Sequence, residues 1–408
     1  MSACRRLSIF ARKLHMFDSI SIGTSGLLTH AKGLRVVGNN LANVNTPGFK
    51  SAQLQFAELF DQGSGPKAPQ DSPHSNGLGT GVASLGSKIN FRAGLDQSTG
   101  NPLDLNINGN GFYAVRRDGE ILYTRSGDFR FDEKGILVNS AGDQVMGLDS
   151  GSKLTEISLD KFNNSAAKAT GTVKFRGNLT MTTTTPPIDA KVNAIPVFDA
   201  NGVSQPISLS FKNNGGGNFT MTATNAANAT LSTQQLKFVG GLLDPAQGPL
   251  TVNLAAAGAP AVNVKLDFAG ITSTSETTTL APNANDGYVA GARTDTTIDA
   301  DGSVQVHYSN GQTVKAARLA LANFEADSAL EQIGGSAFAK KEGSSVQYGF
   351  AGTDAFGKLL SGHREGSNVD LAEEFGNLIL MQRGYQASSH VISTANDMIQ
   401  QLFDMKGR

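Results

Sequence analysis

Leu371, Leu378, Tyr385, Ile392 and Ile399 recur every seven residues, and Met381, Ser388, Ala395 and Leu402 form a second row three residues behind the later members of the first. This is the a/d pattern of a helix that gives one narrow face to another helix. No Pro interrupts it between Asn368 and Lys406. Ser367 followed by Asp370 reads as a capping box, and Glu373 and Glu374 suit the positive end of the helix dipole. At about 1.5 Å per residue such a helix is roughly 55 Å long, too long for one small globular domain. Near the other end of the chain Ile20, Leu27, Leu34 and Leu41 recur with the same period, with Gly23, His30, Val37 and Val44 as the second row. Two terminal coiled-coil helices that partner each other are predicted. The alternative is that each packs on the body as an ordinary amphipathic helix.

Between the helices the period changes to two. Leu103, Leu105 and Ile107 alternate with polar residues, and Asn108–Gly111 reads as a turn. Asp118-Gly119 between Phe112–Arg117 and Glu120–Arg125 predicts a hairpin. Asn310-Gly311 between Ser303–Ser309 and Gln312–Phe324 predicts another, with a type I′ turn. The stretch from Gly151 to Asp295 is richer in Thr, Asn and Gly and reads as a second all-β domain inserted in the first. The expected order is therefore a helix at 16–45, a connector at 46–85, the first part of an inner β-domain at 86–150, an inserted outer β-domain at 151–295, the second part of the inner domain at 296–362, and a helix at 363–408. The fold class is mixed and mainly β: two β-domains nested in sequence, on an arm whose terminal helices form a coiled-coil domain. Met1–His15 has basic residues around a short apolar patch and no cleavage site; it is expected to be a non-native start without order.

Composition narrows the function classes. Among 408 residues the net charge is −1, which gives no basic footprint for nucleic acid. No apolar run reaches the ~18 residues of a membrane span. The single cysteine, Cys4, leaves no disulfide framework within the chain. His30, His74, His307, His363 and His390 are scattered without metal-ligand spacing. Hydrolase, zinc-protease and phosphate-loop motifs are absent, and the nearest paired carboxylates, Asp299/Asp301 and Glu373/Glu374, bracket a turn and sit on a helix face. No catalysis, cofactor or metal is expected.

After the first helix comes Asn39-Asn40-Leu41-Ala42-Asn43-Val44-Asn45-Thr46-Pro47-Gly48-Phe49-Lys50. Locally it is a helix stop: Pro47 disfavours helical backbone at Thr46, and Pro-Gly suits the centre of a type II turn. As a sequence it resembles the N-terminal signature of bacterial flagellar axial proteins, the rod and hook subunits, with Asn43, Thr46, Pro47, Gly48 and Phe49 carrying the match. Asn101–Leu105, Gly111-Phe112, Tyr123-Thr124-Arg125 and Gly127-Asp128-Phe129 resemble the body of the same family. Ser367–Leu371 through Met381–Ala387 resembles its C-terminal signature. Length favours the hook branch, because distal rod subunits are markedly shorter. Gly384 departs from the pattern, where many relatives carry a larger polar residue, and a mid-helix glycine costs about 1 kcal/mol.

The resemblance implies a structural subunit of the basal body and hook at the cell exterior, which polymerises into a flexible hollow tube that transmits torque for motility. Its implied partners are copies of itself, other axial proteins at the rod and filament ends, a hook cap and the type III export machinery. The assembly residues are then Ile20, Leu27, Leu34, Val37, Leu41 and Val44, with Leu371, Leu378, Met381, Tyr385, Ile392, Ala395, Ile399 and Leu402. The alternatives are a distal rod or other axial subunit, and a stalked surface-binding module, for which a secretory signal is expected.

Overall fold

The computed structural model describes residues 2–60, 79–149, 151–182, 189–254, 260–353 and 355–406. Two long helices, α1 (Ser2–Ala42) and α2 (Leu371–Lys406), bracket a chain of short strands. α1 runs through residues 2–15, the stretch expected to lack order; side chains up to residue 18 lie outside the described residues. At the start of α2, Asp370 is the cap. Its Oδ1 accepts from the amides of Ala372 at 2.8 Å and Glu373 at 3.2 Å. Ser367 instead accepts from the Val369 amide at 3.3 Å, so the expected capping box is a turn followed by an Asp cap.

The chain divides into two compact units. One comprises residues 1–158, 297–304 and 315–408; the other comprises 159–296 and 305–314. In the first unit, strands from distant parts of the sequence share one sheet. Strand 337–340 pairs with 120–124 (Phe338 opposite Tyr123), and 321–323 pairs with 112–117 (Leu321 opposite Tyr113). Strands 358–361 and 105–108 form a separate pair. Phe112, Tyr123 and Phe338 are buried in the core beside the shared sheet, with Phe91 and Phe324 packed edge-on against them. The Asp118-Gly119 hairpin forms as expected, with φ of 50° and 89°, because both positions tolerate left-handed backbone.

The stretch 46–85, expected as a connector, holds β1 (Ala52–Phe60) and the first part of β2 (Gly79–Ile89). These form a long antiparallel hairpin against α1. The expected loop at 61–81 lies largely outside the described residues; 79–81 are already in β2.

In the second unit, strand 172–180 pairs in parallel with 262–267 and 271–274, and three long strands, 207–215, 218–225 and 230–239, form a meander. Alternate residues point inward, so Leu209, Phe211, Phe219 and Met221 join one core with Phe175 and Phe268. At Asn310-Gly311 only Gly311 has positive φ, so the turn is not type I′. The Gln312 carbonyl accepts from the Tyr308 amide at 2.9 Å and closes a wider loop.

Candidate functional site

The two terminal helices pack antiparallel within one chain. Gly23 of α1 meets Ile392 of α2, Gly26 meets Ser388, His30 meets Gly384, and Gly33 meets Met381. At Gly23, Gly26 and Gly33 a Cβ would come within 2.6–2.7 Å of those side chains, so any larger residue would have to displace them. The buried row of α1 is therefore Gly23, Gly26, Thr29, Gly33, Val37 and Asn40. This corrects the heptad reading of the leucines. Ile20, Leu27, Leu34, Leu41 and Val44 are only half-buried, as is His30, and of the predicted seam residues of α1 only Gly23 and Val37 are buried.

On α2, Ala395 is buried, and Leu378, Met381, Ile392 and Ile399 are half-buried on the same face. Leu371 and Tyr385 point outward, 46% and 38% exposed. The side chain of Leu402 lies outside the described residues. The inward face passes through Gly384 rather than Tyr385, because small residues let the backbones approach and a straight helix drifts from a strict seven-residue repeat. A second apolar row is left uncovered in the single chain: Leu371, Phe375 and Ile379, spaced four apart and 46–55% exposed.

Asn40 ties three elements together. Its Nδ2 donates to the Ala52 carbonyl and to Glu374 Oε1, both at 2.8 Å, and its Oδ1 accepts from the Ala52 amide at 3.0 Å. The buried polar side chain fixes the register of α1 against β1 and α2.

The signature turn follows. The Phe49 amide donates to the Thr46 carbonyl at 3.3 Å, and Thr46 Oγ1 donates to Asn43 Oδ1 at 3.0 Å. Pro47 and Gly48 are the central pair of a type II turn, and Gly48 has φ of 66°. A Cβ on Gly48 would stand 2.3 Å from the Ser126 amide nitrogen, so the turn is pressed against the β-body. Phe49 is buried beside it.

Next to this turn lies a charge cluster that spans the sequence. Lys50, with no exposed surface, donates from Nζ to Glu365 Oε1 at 2.5 Å and to the Arg92 carbonyl at 2.7 Å. Glu365 Oε1 also accepts from the Gly94 amide at 2.8 Å, and Oε2 pairs with Arg125 at 3.4 Å. The backbone carbonyl of Glu365 accepts from Gly48 at 2.8 Å. Arg125 also donates from Nη1 to the Ile107 carbonyl and from Nη2 to the Gly109 carbonyl, and it stacks over Phe112. Burial pulls the pKa of the Lys50 ammonium down, and the Glu365 carboxylate opposes that shift. Asn368 completes the joint: Oδ1 accepts from the Ser51 amide at 2.7 Å, and Nδ2 donates to the carbonyls of Asn90 and Arg92. Both chain passages between helix and body are thus locked by one set of bonds.

Sequence patterns single out the turn but not this cluster. Lys50 and Arg125 stand inside family-like motifs, and a charged residue there was the signal available. Asn40 and Asn368 stand inside such motifs too, and Glu374 at the helix start, whereas Glu365 carries no signature. Among the described residues, no group of His, Cys, Asp and Glu is placed to hold a metal ion, and no helix is long and apolar enough to cross a membrane.

Three families match the chain. Residues 20–50 match "flagella basal body rod protein", 106–180 match "flagellar hook protein FlgE/F/G D1 domain", and 360–405 match "flagellar basal body rod FlgEFG protein C-terminal". The flagellar hook protein FlgE of Escherichia coli K12 is 31% identical over 95% of this chain and 100% of its own length. That of Salmonella typhimurium LT2 is 33% identical over 95% of this chain and its full length. The FlgE of Borreliella burgdorferi is 31% identical over 96% of this chain and its full length. Among solved structures, the flagellar hook protein FlgE2 of Helicobacter pylori aligns with 64% of this chain and 98% of its own, at a TM-score of 0.49 and 11% identity.

Proposed function

The chain belongs to the flagellar hook protein family, and from this premise we propose that its terminal helices assemble many copies into the tube of the hook. It is a structural subunit of the bacterial flagellar hook, which extends from the basal body outside the cell. The observation that carries the assembly reading is the uncovered row Leu371, Phe375 and Ile379 on α2. The opposite face of α2 is already filled by α1 of the same chain. An apolar row on a long helix calls for cover, and another copy can supply it. A contact between two different surfaces that does not close into a ring yields a helical filament.

The joint at Lys50, Glu365 and Arg125 suits the transmission of torque. It couples helices to β-body through buried charge-assisted bonds rather than through a loose tether. We assign 16–45 and 363–408 to the assembly arm, 86–158 with 297–304 and 315–362 to the inner body, and 159–296 with 305–314 to the outer body. Axial proteins at the rod and filament ends, a cap and the export machinery are the further partners of this reading. It gives the chain no catalytic, cofactor or metal-binding role.

The test compares the full chain with Ile392→Asp and Leu34→Asp under polymerising salt. Sedimentation and negative-stain electron microscopy are expected to show tubes for the unaltered chain only. Near-ultraviolet circular dichroism is expected to show an intact β-body in all three. Tubes of normal form from either variant refute the assignment of assembly to the helices.

A further inference from the structure

In the first unit, the opening turns of α2 together with α1 and β1 enclose a cleft of about 200 Å3. Asp370, Glu373, Glu374 and Asn377 line its polar side, Val36 and Leu54 its apolar side, and no lysine or arginine lines it. Glu374 is only 8% exposed. Its Oε1 accepts from Asn40, but its Oε2 is buried with no hydrogen-bond partner. A buried carboxylate oxygen without a donor is costly. Burial raises the pKa of Glu374, and the neighbouring Glu373 charge raises it further, against the lowering effect of the Asn40 bond. The acids here are not grouped as a metal site. A cationic side chain can supply the missing donor.

The same chain carries such a donor on another surface. Leu28, Lys32 and Arg35 lie at i, i+4 and i+7 on the outer face of α1, and all three are exposed. Lys32 donates to Ser84 Oγ at 3.0 Å. Arg35 has no hydrogen bond or ion pair among the described residues. It points away from its own cleft, because Gly33, Val36 and Val37 of the same helix line that cleft and Arg35 does not.

We propose that Arg35 of one copy enters the acidic cleft at the start of α2 in a second copy, with Leu28 laid against the exposed Leu371 and Phe375. The guanidinium fork matches two carboxylates at once, as a lysine ammonium does not. Basic face and acidic cleft are different surfaces, so each copy donates to one neighbour and accepts from another, and the contact propagates. This inference deepens the assembly reading and rests on it.

The experiment measures the critical concentration for tube formation by the full chain, at the lowest salt that supports tubes, because salt screens the pair. Arg35→Glu and Glu373→Arg are made singly and together; both positions are exposed, so the seam is left alone. Each single reversal is expected to raise the critical concentration about tenfold or more, since like charges then meet across the contact. The double reversal is expected to return it to near the unaltered value. If either single variant assembles like the unaltered chain, or if the double reversal does not rescue, the pairing is overturned and the assembly reading still stands. If the unaltered chain forms no tubes at any salt, both fall.

Discussion

The imidazole of His30 in α1 lies against the bare backbone of Gly384 in α2, where a Cβ on residue 384 would stand 2.4 Å from Cε1 and 2.6 Å from Nε2. The same ring packs at 5.6 Å from the ring of Phe56 in β1. His30 thus sits where both helices and the hairpin meet. Gly384 costs α2 helix propensity, and the structure supplies the reason: the glycine makes room for that ring.

Gly384→Ala sets two effects against each other. Helix propensity favours alanine by about 1 kcal/mol. Overpacking a tight contact costs about 1–3 kcal/mol, and here the obstruction is a ring fixed on two sides. The clash is expected to win, so that α2 amides around residue 384 exchange hydrogen faster than in the unaltered chain. His30→Ala added to Gly384→Ala is expected to slow the exchange again. Slower exchange in Gly384→Ala alone would show that the contact is not tight.

At the joint, the partners of the buried pair are not equivalent. Glu365→Ala strands the Lys50 ammonium with only the Arg92 carbonyl for company, and deprives Arg125 of its counter-charge. Breaking a buried pair from one side costs about 3–5 kcal/mol. Lys50→Met leaves Glu365 with Arg125 and the Gly94 amide, so its cost is expected to be smaller. Scanning calorimetry of the full chain should show the larger loss for Glu365→Ala. Equal losses would mean that Arg125 does not sustain the Glu365 charge.

The helices were legible because a seven-residue period survives in Ile20 to Leu41 and Leu371 to Ile399. Their contact was not, because glycines build it, and a hydrophobic pattern registers Gly23, Gly26 and Gly33 as gaps rather than as the closest approach. The Asp118-Gly119 hairpin was legible from two residues whose backbone preference is local. The β1–β2 hairpin was hidden because its strands are separated by a long Gly- and Pro-rich stretch, and Phe56 and Glu58 find their partners at Ser84 and Val82. Bonds such as Lys50 to Glu365, 315 positions apart in the chain, follow from no local rule.

A pH dependence follows from Asp143. Its carboxylate takes both ends of the Arg117 fork, at 2.7 and 2.8 Å, and the Asn139 amide at 2.9 Å. The Arg117 bond, ahead of Asn139 and against a raising effect of burial, holds its pKa below the ordinary aspartate value. In the unfolded chain the group binds its proton at higher pH than in the folded chain. The stabilisation is therefore present above the ordinary aspartate range and is lost as pH falls through the depressed folded value. Asp143→Asn is expected to destabilise the body at neutral pH and to flatten this acid limb in thermal melts. An unchanged limb would assign the acid sensitivity elsewhere.

The second unit offers a test of which parts carry assembly. Phe268 stacks on Phe175 at 4.6 Å and meets Phe211 edge-on at 5.8 Å, all three buried in one core. Phe268→Ala removes the ring common to both contacts and is expected to cost that unit about 3–5 kcal/mol. Calorimetry should then show one transition moved to lower temperature and the other unmoved, because the first unit has its own aromatic core around Phe112 and Phe338. If the helices alone start assembly, the critical concentration for tubes should stay within about twofold of the unaltered chain, as independent sites act additively. A rise comparable to that of Ile392→Asp would place an assembly contact in the second unit as well.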